Sequence, residues 1–336
     1  MTTPLHFAVL GAGRIGQVHG AAIASVEGAT LKAIADPFED AAKAMALKYG
    51  CDIRSIEDIT AAADIDAVVI CTPTDTHADL IELFARAGKA VFCEKPVDLD
   101  VERARRCMDI VAEENATLML GFQRRFDPDF AALKDVISAG EIGEVEMVTL
   151  TSRDPGAPPA DYIARSGGIF RDMTIHDFDV ARWLLGEEIT GVFASASVLV
   201  DHKIGELGDF DSANVILTTA SGQQATITNS RRATYGYDQR IEVHGSKGSV
   251  SAANHHRSRV EVADASGYTR PPLLDFFMSR YTEAYRAEIT AFVQAVRTGE
   301  TPPISGHDGL MALVLAEAAA RSVQSGRLVN VSEILE

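Results

Sequence analysis

The sequence has little of what cross-linking, membrane insertion or nucleic-acid binding would need. It holds only four cysteines in 336 residues and no CxxC pair, which excludes a disulfide framework and indicates reduced thiols in a cytoplasmic protein. No apolar run reaches the roughly 18 residues of a membrane span, and nothing after Met1 resembles a signal peptide. Lysine and arginine number 31 against 48 acidic residues, and this net charge of −17 argues against nucleic-acid or anionic-membrane partners.

Short apolar runs alternate with helical patterns in the chain up to residue 122. We predict strands at Leu5–Leu10, Leu31–Ala35, Ala67–Cys71, Ala90–Cys93 and Thr117–Leu120. We predict helices near Ile15–Ser25, Pro37–Tyr49, His77–Ala87 and Leu99–Glu114. This alternation is typical of βαβ units, and strands that are apolar throughout indicate a parallel sheet covered on both faces. The predicted class is α/β, with a doubly wound dinucleotide-binding domain over residues 1–122.

The pattern changes after residue 122. We predict helices at Pro128–Ala139 and around Asp172–Leu185, and two closing helices at Asp275–Thr298 and Gly306–Ser325. Between them we predict strands at Val192–Val200, Ser212–Thr219, Gln224–Ser230, Arg240–His244, Ser249–Ala252 and Arg259–Ala263. Glycine-containing turns separate several strands, as antiparallel hairpins require. Residues 123–336 should therefore form an α+β domain with a large, mainly antiparallel open sheet, its last helix packing back on the first domain.

A glycine fingerprint, Gly11-Ala-Gly13-Arg14-Ile15-Gly16, lies between the first strand and the first helix. Its glycines allow a tight turn, close approach to a pyrophosphate and tight packing of helix on strand. The helix N-terminus then offers free N–H groups to the pyrophosphate. Alone the fingerprint is weak, but the strand before it, the helix after it and an acid at the expected distance agree.

That acid is Asp36, at the end of the second predicted strand. Its carboxylate can accept hydrogen bonds from the adenosine ribose and would repel a 2′-phosphate, and Pro37 and Phe38 bring no cation to hold one. These features favour NAD over NADP. The alternative role for Asp36 is capping the following helix, and the two roles are compatible.

Candidate functional residues follow the ends of two further predicted strands. Glu94-Lys95-Pro96 follows a strand where a nicotinamide would lie, and Lys95 could stabilise developing negative charge on a substrate oxygen. Its alternative is a surface lysine. The run from Cys71 to His77 follows another strand end, so Thr72, Pro73, Thr74 and His77 either line the cofactor or cap the next helix.

Asp172 and His176 lie four residues apart in a predicted helix that follows Gly167-Gly168. Residues at that spacing share a helix face, so the carboxylate can orient and charge the imidazole for work as a general base. The alternatives are a surface or capping pair and a metal site. For metal the chain lacks a clear third ligand, and His255-His256 suits an exposed pair better, so we predict none.

Together these motifs resemble the Gfo/Idh/MocA family of oxidoreductases, over essentially the whole chain. The resemblance is carried by the glycine fingerprint, Thr72-Pro73 with His77, Glu94-Lys95-Pro96, and Gly167-Gly168 with Asp172 and His176. Further segments are similar to the myo-inositol 2-dehydrogenase subfamily: Ser152–Pro155 through Tyr162 to Asp179, Gly121–Asp127, Tyr235–Arg240 and Phe277–Tyr285. Gln123 departs from the Asn or Met of related sequences, which leaves the preferred inositol isomer open.

The resemblance implies a catalytic group of Lys95, Asp172 and His176, with a cis peptide at Lys95-Pro96. It places Arg125 and Tyr235 near the substrate hydroxyls, and Tyr281 as a further candidate. It implies NAD-dependent oxidation of myo-inositol to 2-keto-myo-inositol (scyllo-inosose), in a cytoplasmic homotetramer or homodimer. Oxidation of scyllo- or chiro-inositol or of an aldose such as glucose, and a non-catalytic NAD-binding regulator, remain alternatives.

Overall fold

The computed structural model describes residues 3–336, which group into two compact units. The first unit comprises the chain up to Asp127 together with Thr282–Leu313. The second comprises Pro128–Tyr281 with Val314–Glu336. Each unit is therefore built from two stretches of chain, whereas the sequence predicts one division, at residue 122.

A six-stranded sheet forms the centre of the first unit. Its strands are β1 (Leu5–Leu10), β2 (Ala29–Ala35), β3 (Asp52–Ile53), β4 (Ala67–Ile70), β5 (Ala90–Glu94) and β6 (Leu118–Gly121). They lie in the order β3-β2-β1-β4-β5-β6, and every neighbouring pair is parallel. This order confirms the predicted doubly wound α/β fold, in which ligands bind beyond the carboxyl ends of the strands.

Helices connect these strands. They are α1 (Arg14–Ser25), α2 (Glu39–Tyr49), α3 (Ile56–Ala61), α4 (His77–Arg86) and α5 (Val101–Glu113). The short β3 and α3 were not predicted, because two residues of strand and six of helix carry too little periodicity to be recognised. The other helices begin and end within a few residues of their predicted bounds.

The second unit contains a seven-stranded sheet in the order β12-β11-β7-β10-β9-β8-β15. Its strands are β7 (Val145–Arg153), β8 (Ile189–Ser197), β9 (Ser212–Thr219), β10 (Gln224–Ser230), β11 (Asp238–Gly245), β12 (Gly248–Ala252) and β15 (Val329–Asn330), while β13 (Val262–Asp264) and β14 (Gly267–Thr269) pair separately. Only β7 and β10 pair in parallel, so the sheet is mixed but mostly antiparallel, as predicted. The interior strand β7 was missed because polar residues interrupt its apolar positions.

The remaining helices are α6 (Pro128–Ser138), α7 (Ala160–Ser166), α8 (Ile175–Leu185), α9 (His202–Glu206), α10 (Phe277–Arg280), α11 (Thr282–Thr298), α12 (Gly306–Ser325) and α13 (Ser332–Leu335). The sequence predicts one helix over Asp275–Thr298. The structure divides that segment at Tyr281, which lies between α10 and α11.

Aromatic side chains from three elements meet in the core of the first unit. Phe292 of α11 packs edge-on against Phe7 of β1, with ring centroids 6.1 Å apart, and against Phe92 of β5, at 5.7 Å. All three rings are fully buried. Edge-to-face pairs add about 0.5–1.5 kcal/mol each beyond area burial. The helix α11 is therefore an integral part of the first unit.

The two faces of the seven-stranded sheet differ. In β9, Ala213, Val215 and Leu217 are buried while the alternate residues Asn214 and Ile216 are exposed. The helix α8 packs on β7 and β10 and covers the buried face. The opposite face carries exposed side chains, including that of Ile216, as in antiparallel sheets that leave one face uncovered.

Two kinds of feature are absent from residues 3–336. No helix in this range is both long enough and apolar enough to cross a bilayer. Within the same range, no three His, Cys, Asp or Glu side chains are grouped so that they could hold a metal ion.

A buried carboxylate fixes the connection after β8. Asp211 accepts hydrogen bonds from the backbone N–H groups of Leu199 at 2.7 Å, Val200 at 2.8 Å and Asp201 at 3.0 Å. Burial raises the pKa of this carboxyl, but these donors outweigh burial and leave the pKa below its ordinary value. The backbone carbonyl of Asp211 also accepts from the N–H of Arg231 at 2.8 Å, so the same residue contacts the backbone of that arginine.

We expect Asp211→Asn to lower the free energy of unfolding at pH 7 by about 2–4 kcal/mol, because charge-assisted bonds are lost. Since the folded pKa is lowered, the wild-type contribution is complete above the unfolded pKa of about 4 and is lost as pH falls through the folded value. Urea unfolding across this pH range measures both effects. Asp109→Asn, an exposed substitution on α5, is the control. A cost of Asp211→Asn that does not change with pH would contradict the assignment.

Candidate active site

The glycine loop between β1 and α1 is held by backbone contacts that no side chain could enter. A Cβ at Gly16 would lie 1.9 Å from the Gly11 carbonyl oxygen, and one at Gly11, where φ is +97°, would lie 2.6 Å from the Cys71 carbonyl oxygen. A Cβ at Gly13 would meet nothing within 4 Å, so this glycine faces open space. Arg14 and Ile15 form the start of α1, whose first turn has no acidic residue. The loop therefore presents an open helix N-terminus to an anion.

Asp36 directly follows β2, and its side chain contacts this loop. Its Oδ2 accepts a hydrogen bond from the N–H of Ala12 at 2.6 Å, and its Oδ1 accepts from the N–H of Phe38 at 2.7 Å. The first bond links the carboxylate to the glycine fingerprint. The second is a local bond to the residue that precedes α2, which has no side-chain cap bond, so the alternative capping role is not seen in the structure.

The segment after β4 forms a short 3₁₀ turn, Thr74–Thr76, which leads into α4. The hydroxyls of Thr72 and Thr76 lie 2.6 Å apart. His77 is 2% exposed, with Nδ1 at 2.7 Å from the Pro96 carbonyl oxygen and Nε2 at 2.9 Å from the Thr72 carbonyl oxygen. The structure therefore brings the Thr72 segment and the Glu94-Lys95-Pro96 segment together through one ring.

Glu94 ends β5 and is buried. Its Oε1 lies 2.7 Å from Nε2 of His19, a fully buried residue of α1, and its Oε2 accepts from the N–H of Lys95 at 3.3 Å. The Lys95–Pro96 peptide is cis, which confirms that implication of the resemblance. Lys95 itself is half-buried. His19 is a neighbour of this strand end that the sequence analysis missed, because nothing in the pattern of α1 marks one histidine as facing β5.

In the second unit, Asp172 lies in a π-helical turn, Phe170–Thr174, and His176 lies in the first turn of α8. The predicted helix around Asp172–Leu185 is thus two elements. Thr174 is buried at the junction and its hydroxyl donates to Asn229 Oδ1 of β10 at 2.7 Å, a long-range contact that helical periodicity does not predict. Single π turns of this kind are frequent at functional sites.

Two donors hold the Asp172 carboxylate. The Tyr162 hydroxyl donates to Oδ1 at 2.7 Å, and Arg231 Nη1 donates to Oδ2 at 3.1 Å. Arg231 is 1% exposed, and its Nη2 lies 3.7 Å from Asp209 Oδ2. The guanidinium therefore lies between two carboxylates, an arrangement that offsets the cost of burying its charge.

Asp209 also fixes the backbone that precedes the π turn. Its Oδ1 accepts from the N–H of Ile169 at 2.8 Å. Burial raises the pKa of Asp209, and the Ile169 N–H and the charge of Arg231 offset this only in part. Asp209 and Arg231 were missed from the sequence. The one available signal was an arginine directly after the predicted strand Gln224–Ser230, which is too common to single out.

The residues predicted to contact substrate hydroxyls lie in different environments. Arg125 follows β6 in the turn Gln123–Phe126, and its Nη2 donates to Asp308 Oδ1 at 3.0 Å. The hydroxyl of Tyr235 donates to Asp238 at 2.7 Å and accepts from Arg153 at 2.9 Å, while the ring is half exposed.

Tyr281, the third predicted substrate residue, is fully buried. Its ring packs edge-on against Phe130 and Tyr237 of the second unit. Gln123, which departs from the pattern of related sequences, is 4% exposed.

Comparison with known proteins agrees with these features. Residues 5–122 match a family model described as an oxidoreductase family with an NAD-binding Rossmann fold, and residues 130–251 match the GFO/IDH/MocA C-terminal domain. The chain is 63% identical to an inositol 2-dehydrogenase of Rhizobium meliloti (strain 1021), over 98% of this chain and 99% of the relative.

Two crystal structures extend the comparison. A myo-inositol dehydrogenase from Corynebacterium glutamicum is 42% identical, with a TM-score of 0.94 over 97% of this chain and 98% of that one. A scyllo-inositol dehydrogenase from Lactobacillus casei, with bound NAD(H) and scyllo-inositol, is 30% identical, with a TM-score of 0.92 over 98% of this chain and 100% of that one.

The first unit fits NAD, the cofactor of the matched family model. Gly13 faces open space at the N-terminus of α1, where a pyrophosphate can approach the backbone. Asp36 lies beside this loop, where a carboxylate accepts ribose hydroxyls and repels a 2′-phosphate. NAD is therefore the cofactor.

We expect Asp36→Ala combined with Pro37→Arg to shift preference toward NADP, because the repelling carboxylate is replaced by a nearby cation. The ratio of kcat/KM for NADP to that for NAD should rise about tenfold or more. The matched control is Asp40→Ala, which removes an exposed carboxylate from the first turn of α2. An unchanged ratio would remove Asp36 from ribose recognition.

Proposed function

Because the chain belongs to the Gfo/Idh/MocA family of oxidoreductases, we propose that it oxidises myo-inositol to 2-keto-myo-inositol (scyllo-inosose) with NAD. The observation that carries this proposal is the 63% identity to an inositol 2-dehydrogenase across nearly the full length of both chains. Residues 1–122 then serve as the NAD-binding domain, and residues 123–336 serve substrate binding and oligomerisation.

The proposed catalytic group consists of Lys95, Asp172 and His176. His176 accepts the proton of the reacting ring hydroxyl, while Asp172 orients the imidazole and stabilises its charged form. Lys95 stabilises negative charge on the same oxygen as the carbonyl forms. The chemistry that NAD would supply when bound is acceptance, as hydride, of the hydrogen on the carbon that carries this oxygen.

Neighbouring side chains fix the orientation of the Asp172 carboxylate. Tyr162 and Arg231 each donate to a different oxygen of this carboxylate, at 2.7 and 3.1 Å. The buried Arg231 also offsets the negative charge of Asp172, so we assign Asp172 mainly to orienting His176. Tyr162 and Arg231 are thereby positioning residues of the proposed mechanism.

The remaining predicted residues keep their proposed roles. The cofactor is lined by the glycine loop, Asp36, Glu94 and Lys95, and by the segment from Thr72 through Pro73 and Thr74 to His77. Substrate hydroxyls are contacted by Arg125 and Tyr235, with Tyr281 as the further candidate. A ring with six hydroxyls needs many donors and acceptors, which favours such a polar set over an apolar pocket.

The second candidate substrate is scyllo-inositol, favoured by the Lactobacillus casei structure that holds this polyol with NAD(H). Chiro-inositol, which differs from these polyols in hydroxyl arrangement, and aldoses such as glucose are the remaining alternative substrates. A non-catalytic NAD-binding regulator is disfavoured because Lys95, Asp172 and His176 are all present.

The proposed assembly is a homotetramer, with a homodimer as the alternative, in the cytoplasm. The exposed side chains of Phe193, Ile216 and Met147 on the open face of the seven-stranded sheet support burial against a second copy. All four cysteines are free, as expected in a reducing compartment.

NADH formation with NAD and a panel of myo-, scyllo- and chiro-inositol, glucose and galactose tests the substrate. Turnover of myo-inositol well above the others is the expected result. Preference for another polyol would keep the catalytic group and redirect attention to Gln123, Arg125 and Tyr235. Bound NAD with no turnover of any member would favour the regulator.

We expect His176→Ala to lower kcat about 100-fold or more, because a positioned general base is lost, while the affinity for NADH stays nearly unchanged. Steady-state kinetics and NADH fluorescence titration measure the two quantities. His202→Ala, on the exposed part of α9, is the control. Full turnover in His176→Ala would exclude this residue from the mechanism.

We expect Arg231→Lys to lower kcat about tenfold, with little effect on KM for NAD, because one ammonium cannot hold Asp172 and Asp209 as the guanidinium does. The neighbouring Arg232→Lys is the matched control, since Arg232 is exposed and its side chain donates to the Leu199 carbonyl at 3.2 Å and not to a carboxylate of the site. A wild-type kcat in folded Arg231→Lys would show that Asp172 needs no such positioning.

A further inference from the structure

Glu288 is an acidic side chain in the core of the first unit. It lies on the buried face of α11, between Tyr285 one turn before it and Phe292 one turn after it. The residue is fully buried, and within residues 3–336 neither of its carboxyl oxygens has a hydrogen-bond partner. An ionised carboxylate without donors is very costly in such a place, so the group keeps its proton instead. Burial accordingly raises the pKa of Glu288 well above its ordinary value.

A second buried acid lies near Glu288. The negative charge of Glu94, at the end of β5, adds to the effect of burial and raises the pKa of Glu288 further. Burial also raises the pKa of the Cys71 thiol, and the charges of Glu94 and Glu288 raise it further. Because Cys71 directly follows β4, Glu288 lies near the carboxyl ends of β4 and β5. Two like charges in one buried place disfavour each other, which favours a pair that holds one proton.

The charged and titratable groups on the elements that pack against α11 do not neutralise Glu288. On α1, the Nε2 of His19 lies 2.7 Å from Glu94 Oε1. Arg124 and Arg125 lie in the turn after β6, which α11 also contacts, yet neither donates to Glu288. In the part of the chain that the structure describes, the charge that acts on Glu288 is that of Glu94, which has the same sign.

We propose that Glu288 is a pH-sensitive switch of the first unit: its neutral form lets α11 pack on the sheet, and its ionised form repels Glu94, disturbs Lys95 and weakens NAD binding. Glu94 has little room to yield, because His19 and Gly121 enclose its carboxyl group; a Cβ at Gly121 would lie 3.1 Å from Glu94 Cδ. Its Oε2 accepts from the N–H of Lys95 at 3.3 Å, so a shift of Glu94 reaches the Lys95 backbone. The place of Glu94 and Lys95 at the cofactor rests on the proposed function.

The switch has a cost in stability whose sign is fixed. Above the unfolded pKa of about 4.3 the unfolded chain releases the proton, whereas the folded chain keeps it up to its raised pKa. The unfolding equilibrium constant of the wild type should therefore rise about tenfold per pH unit in this range relative to that of Glu288→Gln, which has no such proton. Urea unfolding of both proteins from about pH 5 upward measures this ratio.

Infrared spectroscopy of the full-length protein tests the neutral acid directly. At about pH 7, where an ordinary glutamic acid is ionised, the wild type should show a carboxylic acid C=O band that Glu288→Gln lacks. Above the pH at which this band disappears, the dissociation constant for NADH should rise about tenfold in the wild type but not in Glu288→Gln. By linkage, bound NADH should move the loss of the band about one pH unit higher.

Glu283→Gln is the control, since it makes the same exchange at an exposed position of α11 and should behave as the wild type in every measurement. Should the wild type unfold as the band is lost, Glu288→Gln should remain folded and bind NADH at that pH. Should Glu288→Gln fail to fold, Glu288→Met, with an apolar chain of similar length, takes its place.

Four results would each overturn the proposal. They are the absence of this band at about pH 7, a stability difference that does not change with pH, the same pH dependence of NADH binding in wild type and variant, and failure of both the Gln and the Met variant to fold. None of these measurements uses a polyol. If the chain oxidises none of the polyols but the band and the NADH results are as expected, the proposed substrate fails while the switch stands. If myo-inositol is oxidised and the band is absent, the switch fails while the proposed function stands.

Discussion

The close contact between Gly16 of α1 and the Gly11 carbonyl is the constraint on which the cofactor site depends. With a Cβ at residue 16 only 1.9 Å from that oxygen, α1 can approach β1 closely only because the side chain is absent. The contact directs the N-terminus of α1 to the carboxyl edge of the parallel sheet. Asp36, the Thr72 segment and Lys95 all follow strands that end at this same edge. One missing methyl group thus allows separate motifs to lie at one edge of the sheet.

The parts predicted from the sequence are those whose causes are local. Short apolar strands such as Leu5–Leu10, a glycine loop and an acid after the second strand each follow from a few adjacent residues. The strand β7 was missed because polar residues such as Glu146 and Thr149 interrupt its apolar positions. No pattern of residues in the sequence distinguishes the π turn at Phe170–Thr174 from an ordinary helix.

The support of the candidate site residues is long-range, and this explains why the sequence did not reveal it. Arg231 reaches Asp172 from 59 residues away, and His19 reaches Glu94 from 75 residues away. No spacing rule connects such pairs, since they meet only after the sheets have formed. Candidate residues for action on the substrate can therefore be proposed from the sequence, whereas the residues that hold them are visible only in the folded structure.

The return of α11 to the first unit has a consequence for how the chain folds during synthesis. The strands and helices of that unit that precede Asp127 leave the ribosome long before Thr282–Leu313. Until then Phe292 cannot cover Phe7 and Phe92, and a nascent chain exposes apolar rings that the finished protein buries. Exposed apolar surface of this kind makes partly synthesised chains prone to aggregation and in need of chaperones. The sheet that binds the cofactor is encoded first, yet one of its covering helices is made near the end.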